Sequence, residues 1–202
     1  MNKVTRSTTD SFRETGSKFI GHLFPVESRK EFENRLAEIK SRYPDATHHC
    51  YAWRIDPANL EEFIQDDGEP GGTAGLPILN QLKSNEAVNA AIVVVRYYGG
   101  TNLGKSGLIQ AYGRSAEECL KKTKLVPITL VWQVEVSYPY SEENSIDQLM
   151  HRFNLTEASS TYAEKVTLIL NCPEQNQKEL EENLEQLEHR NIHFRMLNKS
   201  FV

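Results

Sequence analysis

The chain has 202 residues, with 28 Asp+Glu against 23 Lys+Arg and a net charge of −5. That length holds one large domain or two small ones and buries a core without disulfide staples. The acidic balance excludes simple coating of nucleic acid, which needs a cationic footprint, and three widely spaced cysteines, Cys50, Cys119 and Cys172, exclude a disulfide framework or a zinc-ligand pattern.

The N-terminus, Met1 to Asp10, is polar and lacks an apolar leader core, and the longest apolar run, Ala90 to Val95, is far short of a membrane span. The expectation is a soluble cytoplasmic protein with no membrane partner. Residues 8–26 read as two short strands turning at Gly16. Ser28-Arg29-Lys30-Glu31 is a capping box; behind it Phe32, Leu36, Ile39 and Tyr43 share a helical face, and Pro44 stops the helix. Thr47 to Ile55 alternates as a strand, with Tyr51, Trp53 and Ile55 on one face and His48, Cys50 and Ala52 on the other. Pro57 to Ile64 fits no single element, a helical turn being one reading. An acidic glycine loop follows, then a helix through Ile78, Leu79 and Leu82. Asn89 to Tyr98 is nearly continuous apolar sequence and predicts a buried central strand. Ser106 to Lys122 predicts a helix that turns Leu108, Ala111, Tyr112 and Ser115 to the core.

Past Pro127 the rhythm and the charge both change. Residues 1–127 hold 17 Lys+Arg against 16 Asp+Glu, net +1; residues 128–202 hold 6 against 12, net −6. Such a step predicts two domains, 1–127 and 128–202. In the second, a strand through Trp132, Val134, Val136 and Tyr138 precedes a helix from Ser141. Strands follow at Leu155–Tyr162 and Lys165–Leu170, then a helix marked by Leu180, Leu184 and Leu187 and a strand marked by Phe194 and Met196. The order βαββαβ is ferredoxin-like. The acid-rich stretch Glu179–Glu188 reads as the solvated face of the second helix.

Two loops concentrate the candidate chemistry. The first, Asp66 to Gly75, holds Asp66, Asp67 and Glu69 within four residues. Such carboxylates suit Mg²⁺ or acid–base work; the structural reading is a turn whose acids cap the next helix or pair with Arg96 or Arg54. The second, Arg96 to Gly107, contains Gly99, Gly100, Gly104, Lys105 and Ser106 and matches G-x-x-x-x-G-K-[ST] at every fixed position. No apolar strand ends in an Asp suited to the second metal contact of a nucleotide-binding loop, and the repeated βα units are missing. A tight structural turn is the leading reading, with phosphate or RNA-backbone contact at the helix N-terminus the alternative. Arg96 with Tyr97 and Tyr98 is the sort of group that stacks on bases or clamps phosphate. Lys18, Arg54, Arg96, Lys105 and Arg114 form a basic patch if they converge and scattered solvated cations if they do not. His48 and Cys50 share a strand face, where packing is favoured over a nucleophile pair.

These two loops, with Lys18-Phe19-Ile20-Gly21 and Ala46-Thr47-His48-His49-Cys50-Tyr51-Ala52, resemble the YigZ/IMPACT family over about residues 12 to 120. The remainder is similar to the small second domain of its bacterial members. The resemblance implies an α+β first domain with the fold shared by a small-subunit ribosomal protein domain and the GHMP small-molecule kinases. It also implies a ferredoxin-like second domain similar to the last domain of elongation factor G. Bacterial members have no firmly assigned activity; eukaryotic relatives are implied to regulate translation through protein partners. Fold by itself fixes no function.

The combined expectation is a non-enzymatic regulator or accessory factor of translation that binds a ribosomal, RNA or protein partner. Its surface would carry Asp66, Asp67, Glu69, Arg96, Tyr97, Gly99, Gly100, Gly104, Lys105 and Ser106. No catalytic residue, metal ligand or cofactor is assigned, and no oligomeric state is implied. The alternative is an enzyme or binding protein for a phosphorylated or nucleotide-like small molecule held by residues 99–107, with Mg²⁺ entering only in that case.

Overall fold

The computed structural model describes residues 1–201, and the chain divides into two compact units, Met1–Pro127 and the remainder from Ile128. In the first, β2 (Thr8–Glu14) and β3 (Ser17–Pro25) form a hairpin through Thr15 and Gly16. Both turn residues have positive φ, 47° and 81°, the backbone that tight hairpin turns demand. A short strand β1 (Asn2–Val4) precedes them. The helix α1 (Arg29–Arg42) starts at the capping box. The Glu31 N–H donates to Ser28 Oγ at 3.3 Å, and the Glu31 carboxylate reaches back to the Glu27 N–H at 2.9 Å, one residue before the usual partner. Then come β4 (His48–Ile55), β5 (Glu61–Gln65), α2 (Gly75–Ser84), β6 (Ala87–Val88), β7 (Ala90–Tyr97), α3 (Gly104–Lys121) and β8 (Leu125–Pro127).

Five strands form one antiparallel sheet in the order β2-β3-β7-β4-β5. The apolar run Ala90–Val95 lies at its centre, buried on both faces. Ala90, Ile92 and Val94 join the core beneath α2 and α3, together with Phe19, Leu23, Ile78, Leu82, Leu108 and Tyr112. Ala91, Val93 and Val95 join the core beneath α1, with Phe32, Ile39, Trp53 and Ile55. The two faces of β4 divide as its alternation predicts. A second small sheet, β6-β1-β8, ties the N-terminal strand to the end of the unit. Its three strands are too short for periodicity to reveal. The stretch Pro57–Ile64 is corrected: its second half is the edge strand β5, all five residues exposed, and not a helical turn. Pairing with β4, which places Phe63 over Trp53 at 5.6 Å between ring centroids, overrides the ambiguous local pattern.

The second unit runs β9 (Leu130–Tyr138), α4 (Glu143–Phe153), β10 (Thr156–Tyr162), β11 (Val166–Pro173), α5 (Gln177–Leu187) and β12 (His193–Phe201). Its antiparallel sheet has the order β10-β11-β9-β12, the ferredoxin-like arrangement. Val134, Val136, Leu168, Leu170, Ile146, Leu149, Leu180 and Leu184 form its separate core. On α5 only Leu180 and Leu184 are buried; Glu179, Glu182 and Glu185 are exposed, so the acid run is that helix's solvated side.

Candidate partner-binding cavity

The loop between β5 and α2 places its three carboxylates in three different environments. Asp66 turns toward the start of α2. Its Oδ1 accepts from the Ala74 and Gly75 N–H groups at 3.0 and 2.8 Å, and its Oδ2 from Gly72 N–H at 2.8 Å. Three of its acceptor positions are thereby used on helix and turn donors that have no other partner. Asp67, at φ 44°, accepts from the His49 N–H at 2.7 Å. Glu69 is 9% exposed, and its Oε1 accepts from Arg96 Nη1 at 2.5 Å and from the Tyr112 hydroxyl at 2.7 Å. Among the described residues no group of three or more His, Cys, Asp or Glu side chains is arranged to hold a metal ion.

Arg96 is 4% exposed. Besides Glu69 it reaches Ser17 Oγ at 3.3 Å and lies over the rings of Phe19 and Tyr98, 5.5 and 5.4 Å from their centroids. The guanidinium is an internal strut: of the readings the sequence offered, Glu69 takes the ion pair with Arg96, and Arg96 is not a solvated cation. Arg54 is also buried, donating to Glu62 and to the Leu82 and Ala87 carbonyls, while Arg114 sits over Phe12 and pairs with Glu14. Lys18, Arg54, Arg96, Lys105 and Arg114 therefore do not form one patch. Tyr97 packs against the core under α1, on the opposite side of β7 from Arg96.

Buried hydrogen bonds extend the Glu69–Arg96 pair into the core. The Cys50 thiol donates to the Asp66 carbonyl at 3.0 Å and lies 3.3 Å from the Tyr112 hydroxyl. Burial, and then the neighbouring carboxylates, push the Cys50 thiol well above its ordinary range; burial, then Cys50 and Glu69, do the same to Tyr112. Burial and the hydrogen bond to the Asp66 carbonyl disfavour the thiolate that a nucleophilic Cys50 would need. His48 is held by the Asp67 carbonyl, 2.8 Å from Nδ1, with Nε2 3.7 Å from Glu69.

The second glycine loop is shaped by the turn at Gly16. A Cβ on Gly99 would lie 2.0 Å from the Gly16 carbonyl carbon and 2.3 Å from Ser17 N, so the two backbones meet where only glycine fits. Ser17 Oγ fixes this crossing by accepting from the Gly99 N–H at 3.2 Å. Gly100 and Gly104 have positive φ, 85° and 69°, and face open space. α3 then begins without a side-chain cap, with Lys105 and Ser106 exposed.

These parts enclose a cavity of about 460 Å³, walled by Thr47, His48, the Glu69–Arg96 pair, Tyr98, Asn102 and the Gly104-Lys105 start of α3. Tyr98 is 45% exposed, and its hydroxyl meets Asn102 Oδ1 at 3.2 Å. Of the residues singled out in the sequence, His48, Glu69, Arg96, Tyr98, Gly104 and Lys105 line this cavity. Asp66 and Asp67 shape the adjoining loop, Gly99 and Gly100 the other, and Tyr97 lies elsewhere. Thr47, Ser17, Asn102 and Tyr112 had no sequence signal as site residues; Tyr112 was legible as a core position but not as the hydroxyl on Glu69, 43 residues away.

Residues 15–120, more than half of the sequence, match the model of the Impact N-terminal domain. The chain belongs to the IMPACT family. Residues 136–187 match a domain of unknown function, DUF1949. The IMPACT family member YigZ of Escherichia coli is 34% identical over 162 residues, 78% of each chain. The protein IMPACT homolog of Dictyostelium discoideum is 40% identical over 102 residues, 48% of this chain and 29% of that protein. A crystal structure described as that of a hypothetical protein superposes with a TM-score of 0.65 at 27% identity, covering 98% of this chain and 97% of the other. Both glycine loops, and every wall of the cavity, fall within the matched IMPACT segment. No helix among the described residues is long and apolar enough to cross a membrane.

Proposed function

We propose that this IMPACT family protein is a non-enzymatic regulator or accessory factor of translation in the cytoplasm. It docks a ribosomal, RNA or protein partner on the face that carries Asp66–Gly75 and Arg96–Gly107. One observation carries the choice of binding over catalysis: the carboxylates and the thiol around the cavity are engaged inside the protein. Asp66 and Asp67 hold backbone N–H groups, Glu69 holds Arg96 and Tyr112, and Cys50 is a buried thiol. A general base or nucleophile needs a free partner position aimed at the substrate. What remains open is a rim of contact groups: Tyr98, Asn102, Thr47 and Lys105. The translation half of the proposal rests on the family resemblance. Affinity capture of the tagged protein from its own cytosol, with and without RNase, tests it. Retained ribosomal subunits or translation factors are the expected outcome; an empty column together with unchanged ribosome profiles on deletion refutes it.

The uncapped start of α3 beside this cavity favours a second reading, a phosphorylated or nucleotide-like small molecule held by backbone N–H groups of residues 99–107 and by Lys105. Mg²⁺ would then arrive with the ligand. Nucleotide titration of the protein and of Lys105→Ala tests this reading, which needs saturable binding that the variant loses.

A further inference from the structure

The side of the five-stranded sheet away from α2 and α3 carries a different arrangement of charge. On β2, Asp10 and Glu14 turn toward α3, where they pair with Lys122 and Arg114. Thr9, Ser11 and Arg13 alternate onto the other side. There Arg13 stands directly opposite Lys18 of β3, and Lys18 directly opposite Tyr97 of β7. Two cations and a tyrosine thus form one row across three strands, spaced about 4.8 Å apart. Like charges opposed across a strand pair are destabilising. Among the described residues, no ion pair within 4.0 Å includes Arg13, Lys18 or Arg42. The fold supplies no counter-charge to this row, which leaves it available to an anion from outside.

Next along the same side, Thr9 stands opposite His22 and meets its Nδ1 at 3.1 Å, while His22 Nε2 is buried without a partner. Tyr43, at the end of α1, lies 5.3 Å from His22 between ring centroids. A cavity of about 390 Å³ is lined by Arg13, Lys18, Tyr43 and Tyr97; one of about 200 Å³ is lined by Thr9, His22, Arg35 and Arg42. Tyr43 lines the first, and its ring touches His22, which lines the second. Arg35 brings its own counter-ion, Glu38, so the uncompensated cations are Arg13, Lys18 and Arg42.

We propose that this face binds single-stranded nucleic acid, with Arg13, Lys18 and Arg42 on phosphates and with Tyr43 and Tyr97 as stacking surfaces for bases. Half-buried tyrosines set among unpaired cations match a strand that alternates phosphates and bases. An acidic peptide would use the cations and leave the rings idle, and a duplex hides its bases from them. Tyr98 lines both this cavity and the one beside Glu69, but the groups that carry this inference, Arg13, Lys18, Arg42, Tyr43 and Tyr97, are not among the walls of the other, and Tyr97 and Arg96 point to opposite sides of β7.

Fluorescence anisotropy of the full chain with labelled oligo(U) RNA, oligo(dT) DNA and a duplex, over a salt series, tests the proposal. Both single strands are expected to bind more tightly than the duplex. Log affinity should fall with log salt at a slope of about −2, from about −0.7 per phosphate neutralised. Arg13→Gln with Lys18→Gln should bring the slope to about −1 or flatter. Tyr97→Leu, which keeps an apolar side chain against the core, should weaken binding about 10-fold at unchanged slope. Lys105→Ala, on the other cavity, should change nothing. A preference for RNA adds 2′-hydroxyl contacts to the same site. Three outcomes overturn the proposal. Lys105→Ala could weaken binding as much as the double variant, or the duplex could bind as well as the single strands. The protein could also bind polyglutamate but no oligonucleotide at low salt, which would assign the face to an acidic protein partner.

Discussion

At the scale of single residues, the buried Arg96–Glu69 pair decides how the cavity is built. Each charge is tolerable out of water because it faces the other, with Tyr112 donating to Glu69 and Ser17 accepting from Arg96, whose Nε alone is left buried without a partner. Removing one member leaves the other buried and uncompensated, so Glu69→Ala should cost about 3–5 kcal/mol in urea unfolding. Arg29→Ala, which breaks an exposed helix pair with Glu33, should cost under about 1 kcal/mol. Equal losses would mean that the Glu69 pair is more hydrated than its geometry implies. His22 sets a pH dependence. Burial, and then the nearby Arg42, lower its pKa from 6.5 to about 4. Below pH 6.5 the unfolded chain takes up a proton that the folded chain refuses, so stability is full above that pH and falls as the pH drops toward 4. Moving from pH 7.5 to pH 5 should therefore remove about 2 kcal/mol. A His22→Phe variant should show a flatter profile; an unchanged profile would assign the loss to other groups.

At the scale of elements, the crossing of two loops fixes the mouth of the cavity. The β2–β3 turn and the β7–α3 loop touch backbone to backbone at Gly16 and Gly99, while Gly100 has a positive φ, unstrained in glycine, and open surroundings. The two glycines should respond differently to the same change. Gly100→Ala bears only the cost of a left-handed backbone, about 1 kcal/mol. Gly99→Ala cannot be accommodated without moving one loop off the other, and should cost several-fold more and disturb the amides of residues 16–17 and 99–104. Amide chemical-shift mapping with thermal melts would separate the two, and similar melts with shifts confined to the mutated site would count against the crossing as the controlling contact. The antiparallel setting of β7 between β3 and β4 also matters. It gives the G-x-x-x-x-G-K-S segment a strand–loop–helix context without the parallel sheet that accompanies a nucleotide-binding loop.

At the scale of the molecule, three apolar clusters divide without mixing between Met1–Pro127 and the rest: two about the five-stranded sheet and one within the ferredoxin-like unit. Residues 1–127 produced alone should therefore unfold cooperatively and keep the native amide spectrum of that unit. A molten fragment, with weak near-ultraviolet dichroism and strong dye binding, would mean that the first core needs the second unit. The uneven charge belongs to this scale as well. Removing residues 128–202 takes the net charge from −5 to +1, so the fragment should bind single strands more tightly than the full chain at low salt.

The sequence alone determined the longer sheet-forming runs apart from β5, the capping box of α1, the buried centre of β7, the βαββαβ order and the family. Each is written in local periodicity, in residues a few positions apart, or in motifs matched in order. It left open whether Asp66, Asp67 and Glu69 were ligands, caps or ion-pair partners, and whether five scattered cations converged. Those answers depend on groups tens of residues apart: Glu69 with Arg96 and Tyr112, Gly99 with Gly16, Lys18 with Tyr97. Strand register and the crossing of loops bring them together, and a one-residue slip of register would turn each side chain to the other face. The tertiary structure thereby decided that Arg96 and Arg54 are internal and that, of the cations lining the two cavities on the far side of the sheet, Arg13, Lys18 and Arg42 have no ion-pair partner.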